Sequence, residues 1–146
     1  MSITIKDLTT EAPRSPRIRI GGYAILGRTL DKGRADLAGK IGEYHYDCPL
    51  DNVLFGFKGI TGSEIHTLLE EGKSDEEIVS WVNTHGTPKT PEEIAEWSNG
   101  FESATFHNHP EKGEWFAGEC SRLGIDPAAS TITDMLEADD KQSFAK

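Results

Sequence analysis

Two cysteines, Cys48 and Cys120, are too few and too far apart for a disulfide framework or a Cys-x-x-Cys site. No apolar run approaches the roughly 18 residues that cross a bilayer. The start, Met-Ser-Ile-Thr-Ile-Lys-Asp, lacks the basic and apolar stretches of a secretory leader. A cytoplasmic protein away from the membrane is therefore expected. The chain has no Gly-x-x-x-x-Gly-Lys, Gly-x-Gly-x-x-Gly, Gly-x-Ser-x-Gly or His-Glu-x-x-His, so the common phosphate-loop, dinucleotide, hydrolase and zinc-protease plans are missing. No cofactor or oligomeric state can be read from it.

Positive charge is also scarce: 15 Lys and Arg face 25 Asp and Glu, a net charge of −10 over 146 residues. The imbalance is local. Residues 1–60 hold nine Lys/Arg and seven Asp/Glu, whereas residues 61–146 hold six and eighteen. The acidic remainder cannot neutralise phosphates, which excludes nucleic acid as its partner. Only the first part has the local sign to attract an anion.

The length suits one globular domain, 1–146, with residues 1–13 as an arm and 139–146 as a solvated tail. Ser15-Pro16 reads as a helix start, and apolar spacing predicts a firm helix over about 22–38, stopped by Gly39. Residues 41–50 alternate and carry aromatics, as a short strand or an ordered loop. One or two helical turns follow from Leu50 to Phe57. Thr61 or Ser63 caps a helix that ends at Gly72. Ser74 with Glu77 and Thr90 with Glu93 are capping boxes, each followed by an Ile and a Trp that dock into one core. Further helices are expected over Glu111–Leu123, with Trp115, Phe116 and Leu123 inward, and from Ser130 or Thr131 through Leu136. The expected fold is all-α, a compact bundle of about five to seven short helices with one irregular or short-strand segment near 41–50.

Chemistry concentrates in residues 14–51. Arg14, Arg17, Arg19, Arg28, Lys32 and Arg34 fall close together, with Arg28, Lys32 and Arg34 on or beside one helical face. Guanidinium forks suit carboxylate and phosphate, so these groups either bind an anion or pair with the protein's own carboxylates. In an extended Glu43–Cys48 segment, His45 and Asp47 share one face, as a base with its orienter or as two metal ligands, and Tyr44, Tyr46 and Cys48 share the other. His107 and His109 form a His-x-His pair in an expected linker, which needs a third ligand before it defines a metal site. The acidic stretch Asp134 to Asp140 lacks the loop spacing of a calcium hand and reads as a solvated helix end.

The motifs Pro13-Arg14-Ser15-Pro16-Arg17, Gly21-Gly22-Tyr23, Leu30-Asp31-Lys32-Gly33-Arg34-Ala35, Gly42-Glu43-Tyr44 and Cys48-Pro49-Leu50-Asp51 together resemble an uncharacterised bacterial family of about this length, catalogued as a domain of unknown function. The resemblance runs on through Lys73–Ile78, the two tryptophan helices and the Asp134…Asp139-Asp140 end. It implies a small, mainly helical soluble protein and no particular activity. Its pattern concentrates on Arg14, Arg17, Asp31, Lys32, Arg34, Glu43, Tyr44 and Asp51, and leaves His107 and His109 outside.

Three functions follow as expectations. The first is binding, with or without transformation, of a small anionic metabolite, oriented by Arg14, Arg17, Arg28, Lys32 and Arg34, with Tyr44, His45 and Asp47 handling protons. The second is an acidic interaction module presenting Glu70–Glu77 and Glu92–Glu96 to a basic protein. The third is a metal site using His45, Asp47, His107 and His109, with Cys48 as a further ligand.

Overall fold

Local capping sets most of the helix boundaries. In the computed structural model, which describes residues 5–144, the described residues form seven α-helices. These are α1 (Leu26–Leu37), α2 (Pro49–Lys58), α3 (Gly62–Glu70), α4 (Asp75–Thr84), α5 (Pro91–Ser103), α6 (Gly113–Leu123) and α7 (Ile132–Ser143), with a 3-10 turn at Pro127–Ala129. The fold is all-α. The hydroxyl of Thr61 caps α3, that of Ser74 caps α4, that of Thr90 caps α5 and that of Thr131 caps α7. Each accepts the N–H of an acidic residue three positions on, whose carboxylate reaches back to the cap N–H.

The front of the first helix differs from expectation. Gly21 and Gly22 take φ of 59° and 86° and Ile25 takes 65°, and left-handed residues cannot continue a right-handed helix. The chain turns here, Ile25 N–H reaching Pro16 O at 2.9 Å, and α1 begins only at Leu26. Ser15-Pro16 accordingly starts a turn, with Ile18 N–H on Ser15 O at 3.0 Å. Residues 41–48 form an ordered loop rather than a strand. Gly42 and Asp47, both at φ of 62°, break the extended path. The alternation survives as burial: Tyr44, Tyr46 and Cys48 are half-buried while Glu43, His45 and Asp47 are exposed.

The arm and tail are more ordered than their polarity implies. Leu8 is buried and its N–H bonds Lys40 O at 2.8 Å. Asp139 and Asp140 lie inside α7, which runs on to Ser143 because both meet arginines. The outermost parts of the expected arm and tail, residues 1–4 and 145–146, lie outside the described residues.

Two apolar cores result. The larger gathers Tyr23, Ala24, Ile25, Leu26 and Leu30 with Leu54, Phe55, Ile65, Leu69, Ile78, Val82, Ile94 and Phe101, against which Trp81 and Trp97 pack. The paired Ile and Trp of α4 and α5 thus share one core. The smaller joins Phe116 and Cys120 of α6 to Ile132 and Met135 of α7, and Leu50 packs against both cores. Trp115 departs from its expected inward position. Phe116, Cys120 and Leu123 lie at i, i+4 and i+7 and define the inner stripe, so residue 115 falls on the flank and is 52% exposed. Among the described residues no helix is long and apolar enough to cross a membrane.

The α4–α5 connection is tied to the end of α2. Lys58, fully buried, donates to the carbonyls of His85 and Thr87, both at 2.8 Å, and Lys58 O accepts Thr87 N–H at 2.6 Å. Gly86 makes this approach with φ of 70°, and a Cβ there would collide with Lys58 O. Left-handed backbone at a non-glycine residue costs about 1–3 kcal/mol, and the collision adds to it. Gly86→Ala is expected to lower the free energy of unfolding by about 2 kcal/mol, read from urea denaturation; an unchanged midpoint would refute this picture of the turn.

Candidate functional site

Helix α1 is buried along Leu26–Ala35, charges included, so each charge on it needs a partner. Arg28 makes a two-pronged pair with Asp140, at 2.7 and 3.0 Å. Lys32 Nζ donates to Asp51 Oδ2 at 3.0 Å and lies 3.3 Å from Cys48 Sγ. Asp51 also accepts Thr29 Oγ1–H at 2.6 Å and Cys48 N–H at 3.2 Å. Arg34 reaches Asp75 at 2.7 Å, and Arg14 bridges Asp75 at 2.9 Å to Asp31 at 3.0 Å. Outside the helix, Arg17 pairs with Asp134, at 2.7 Å, and with Glu137, and Arg19 holds Glu102 at 2.8 Å. The five cations expected to bind a ligand, Arg14, Arg17, Arg28, Lys32 and Arg34, are thus all engaged by carboxylates of the chain. Asp134 and Asp140 supply two of these, so the acidic end is a set of ion-pair partners rather than a solvated helix end.

The electrostatics follow from this pairing. Burial pushes the Asp75 carboxyl upward, but hydrogen bonds and charge from Arg14 and Arg34 outweigh it and hold its pKa below the ordinary 3.8. Asp134 is lowered by the Thr131 N–H and then by Arg17, and Glu102 by its hydrogen bonds to Arg19.

The expected proton-handling residues do not converge. The Tyr44 hydroxyl donates to Asp140 at 2.8 Å, its ring lies 5.5 Å from the Arg28 guanidinium, and Phe144 stacks on it. Burial, then the bond to Asp140, drives the Tyr44 phenol far above its usual range, away from proton transfer at neutral pH. His45 is exposed, and Asp47 accepts Asn52 Nδ2–H at 2.9 Å. Among the described residues no hydrogen bond joins Tyr44, His45 and Asp47, and no three His, Cys, Asp or Glu side chains form a metal-sized cluster. His107 stays in the exposed linker, its N–H on Thr105 Oγ1 at 3.1 Å. His109 has a local task instead: Nδ1 accepts the N–H groups of Glu111 and Lys112, both at 3.1 Å, ahead of α6.

One concave feature with ligand-like dimensions lies elsewhere. Between α2, the Phe106 linker, α6 and α7 is a cavity of about 510 Å³ lined by Cys48, Leu50, Phe106, Trp115, Met135 and Leu136, with Lys112, Glu119 and Asp139 at its edge. Glu119 and Asp139 are tied to Arg122, at 3.2 and 2.8 Å. The Lys112 ammonium sits 5.0 Å from the Phe106 ring centroid. Among the described residues no carboxylate oxygen lies within 4.0 Å of it. From the expected 14–51 segment, the loop and helix start at Cys48–Leu50 reach this cavity, and the arginines do not. Sequence reasoning passed over Phe106 and Lys112 and read Leu50, Trp115, Met135 and Leu136 only as helix residues, not as parts of a site. The available signal was Trp115-Phe116: adjacent positions on a helix lie about 100° apart, so one of two large aromatics must leave the inner stripe.

The depressed carboxyls set an acid limit. The unfolded chain takes up protons before the folded one, so the stabilisation from Asp75, Asp134 and Glu102 is complete above their ordinary values of 3.8, 3.8 and 4.5 and disappears as pH falls through the lower folded values. Urea midpoints are expected to drop between about pH 5 and pH 3. Asp75→Asn is expected to be less stable at neutral pH and to show a shallower drop; an equal slope would remove Asp75 from the account.

No curated protein shows significant similarity to the chain. A family model does match it, over residues 10–142, a span that takes in the α1 ion pairs, the Cys48–Asp51 helix start and α7 up to its last turn. The chain is a member of the family described as a domain of unknown function, DUF5069.

Proposed function

We propose that this protein binds a small molecule with an apolar or aromatic body and one anionic end, held in the cavity between α2, α6 and α7. The observation that carries this reading is the half-exposed Trp115 beside an apolar cavity of about 510 Å³, with a lysine lacking a carboxylate partner at its edge. Ligand sites of about 300–1,000 Å³ are mostly apolar with a few convergent polar groups, and this cavity has that make-up. Phe106 and Trp115 offer ring faces and edges to a flat ligand. Lys112 supplies the charge for a carboxylate or phosphate.

The anionic preference expected from the sequence is kept, and the place is changed. An anion at Arg28 or Lys32 would have to displace Asp140 or Asp51 and leave a buried carboxylate unpaired, a cost of about 3–5 kcal/mol. At Lys112 nothing need be displaced. At about 0.3 kcal/mol per non-hydrogen atom, a ligand of about 20 atoms gains about 6 kcal/mol, a Kd in the tens of micromolar.

Titration with phenylpropionate, indole-3-acetate and octanoate, against the matching amides, tests this by tryptophan fluorescence and calorimetry. Saturable binding of at least one acid is expected, weakened about tenfold by Trp115→Ala. Lys112→Ala should erase the preference for acid over amide, and Arg17→Ala, which touches only the seating of α7, should leave that preference intact. Flat titrations throughout, or loss of binding in Arg17→Ala with normal binding in Trp115→Ala, would overturn the proposal.

A further inference from the structure

Helix α5 carries Glu92, Glu93, Glu96 and Glu102 and no lysine or arginine. Glu102 is paired with Arg19, whereas among the described residues no cation lies within 4.0 Å of the other three. All three are exposed. Glu93 also accepts the Thr90 N–H of its capping box, which lowers its pKa from the ordinary 4.5.

Between α5 and α2 lies a second cavity, of about 640 Å³. Its floor includes Phe57, Trp97 and Phe101, with Phe57 and Trp97 stacked at 4.9 Å. Val53, 47% exposed, forms one lip, and Glu93 and Glu96 form the other rim. Among the described residues no lysine or arginine lines it; Lys89 sits over the Phe57 ring at 4.6 Å, and its charge also reaches Glu93. At about 1.5 Å per residue α5 is about 20 Å long, enough to lie along several turns of a partner helix.

We propose that this groove takes the apolar face of a basic amphipathic helix from another protein, its flanking lysines or arginines pairing with Glu93 and Glu96. The floor supplies the apolar anchors of a helix-in-groove contact, and the rim supplies one sign of charge, which steers and orients the incoming segment. A second copy of this chain is the wrong occupant. A two-fold pairing through this same patch would bring no cationic lining side chain to meet Glu93 and Glu96. The Lys112 cavity has a lysine beside Glu119 and Asp139, whereas the charges lining this groove are Glu93 and Glu96. The two share Leu50, Phe106 and Ile132, while Val53 and Glu96 belong to the groove alone.

The test uses the full chain and two labelled helical peptides with the same leucine seam, one flanked by lysines and one by glutamates, read by fluorescence anisotropy. The lysine peptide should bind, and the glutamate peptide about tenfold or more weakly. Val53→Asp and Glu96→Lys, at exposed sites that leave the fold intact, should each weaken the lysine peptide about tenfold. Val53→Asp adds negative charge, so its loss of affinity separates groove binding from general attraction to an acidic protein. Absence of binding, equal binding of both peptides, indifference to Val53→Asp, or a self-associated dimer in sedimentation that Val53→Asp disperses would each overturn the proposal.

Discussion

A buried helix that carries charge has to meet its opposite charges inside the protein, and α1 imposes that condition on α2, α4 and α7. Over Leu26–Ala35 the helix buries Arg28, Asp31, Lys32 and Arg34. Removing one partner from a buried pair costs about 3–5 kcal/mol because a charge is stranded. Asp140 on α7, Asp51 on α2, Asp75 on α4 and Arg14 ahead of α1 are therefore fixed in place. Replacing both members of such a pair with apolar groups is often neutral, so these pairs specify where helices dock more than they add net stability.

The consequence for function is one of position. The Arg17 and Arg28 pairs pin α7 across the N-terminal segment and α1. Held there, Met135 and Leu136 face α6 and the start of α2, and the apolar cavity forms between them. The charge-rich third thus acts as the frame of the proposed site, and the site is built from residues that carry little charge. The excess of acid in the second half divides in two: part of it neutralises the frame, and Glu92, Glu93 and Glu96 of α5 remain exposed.

Sequence alone reveals what is encoded locally. The boxes at Ser74–Glu77 and Thr90–Glu93 define α4 and α5 within four residues each, and the shared Ile and Trp spacing identifies their common core. The Gly21-Gly22 pair hints at a weak helix front, and the structure shows a full break because Ile25 is left-handed too. Long-range pairing is another matter. Arg28 meets a carboxylate 112 residues away and Arg34 one 41 residues away; no periodicity carries that information. The same distance hides the order of the tail, since Asp139 and Asp140 look solvated until Arg122 and Arg28 are placed beside them. Cavities are legible only as misfits, and Trp115 beside Phe116 is the one that stood in the sequence.

The central claim is that the arginines serve the frame while ligands meet the Trp115 cavity. Nitrogen-proton correlation spectra resolve arginine Nε–H and tryptophan indole N–H signals separately, so one titration with indole-3-acetate reports on both places at once. The account predicts a saturable shift of the Trp115 indole signal, with the Nε–H signals of Arg14, Arg28 and Arg34 unmoved. Saturable movement of those arginine signals with a stationary Trp115 indole would contradict it.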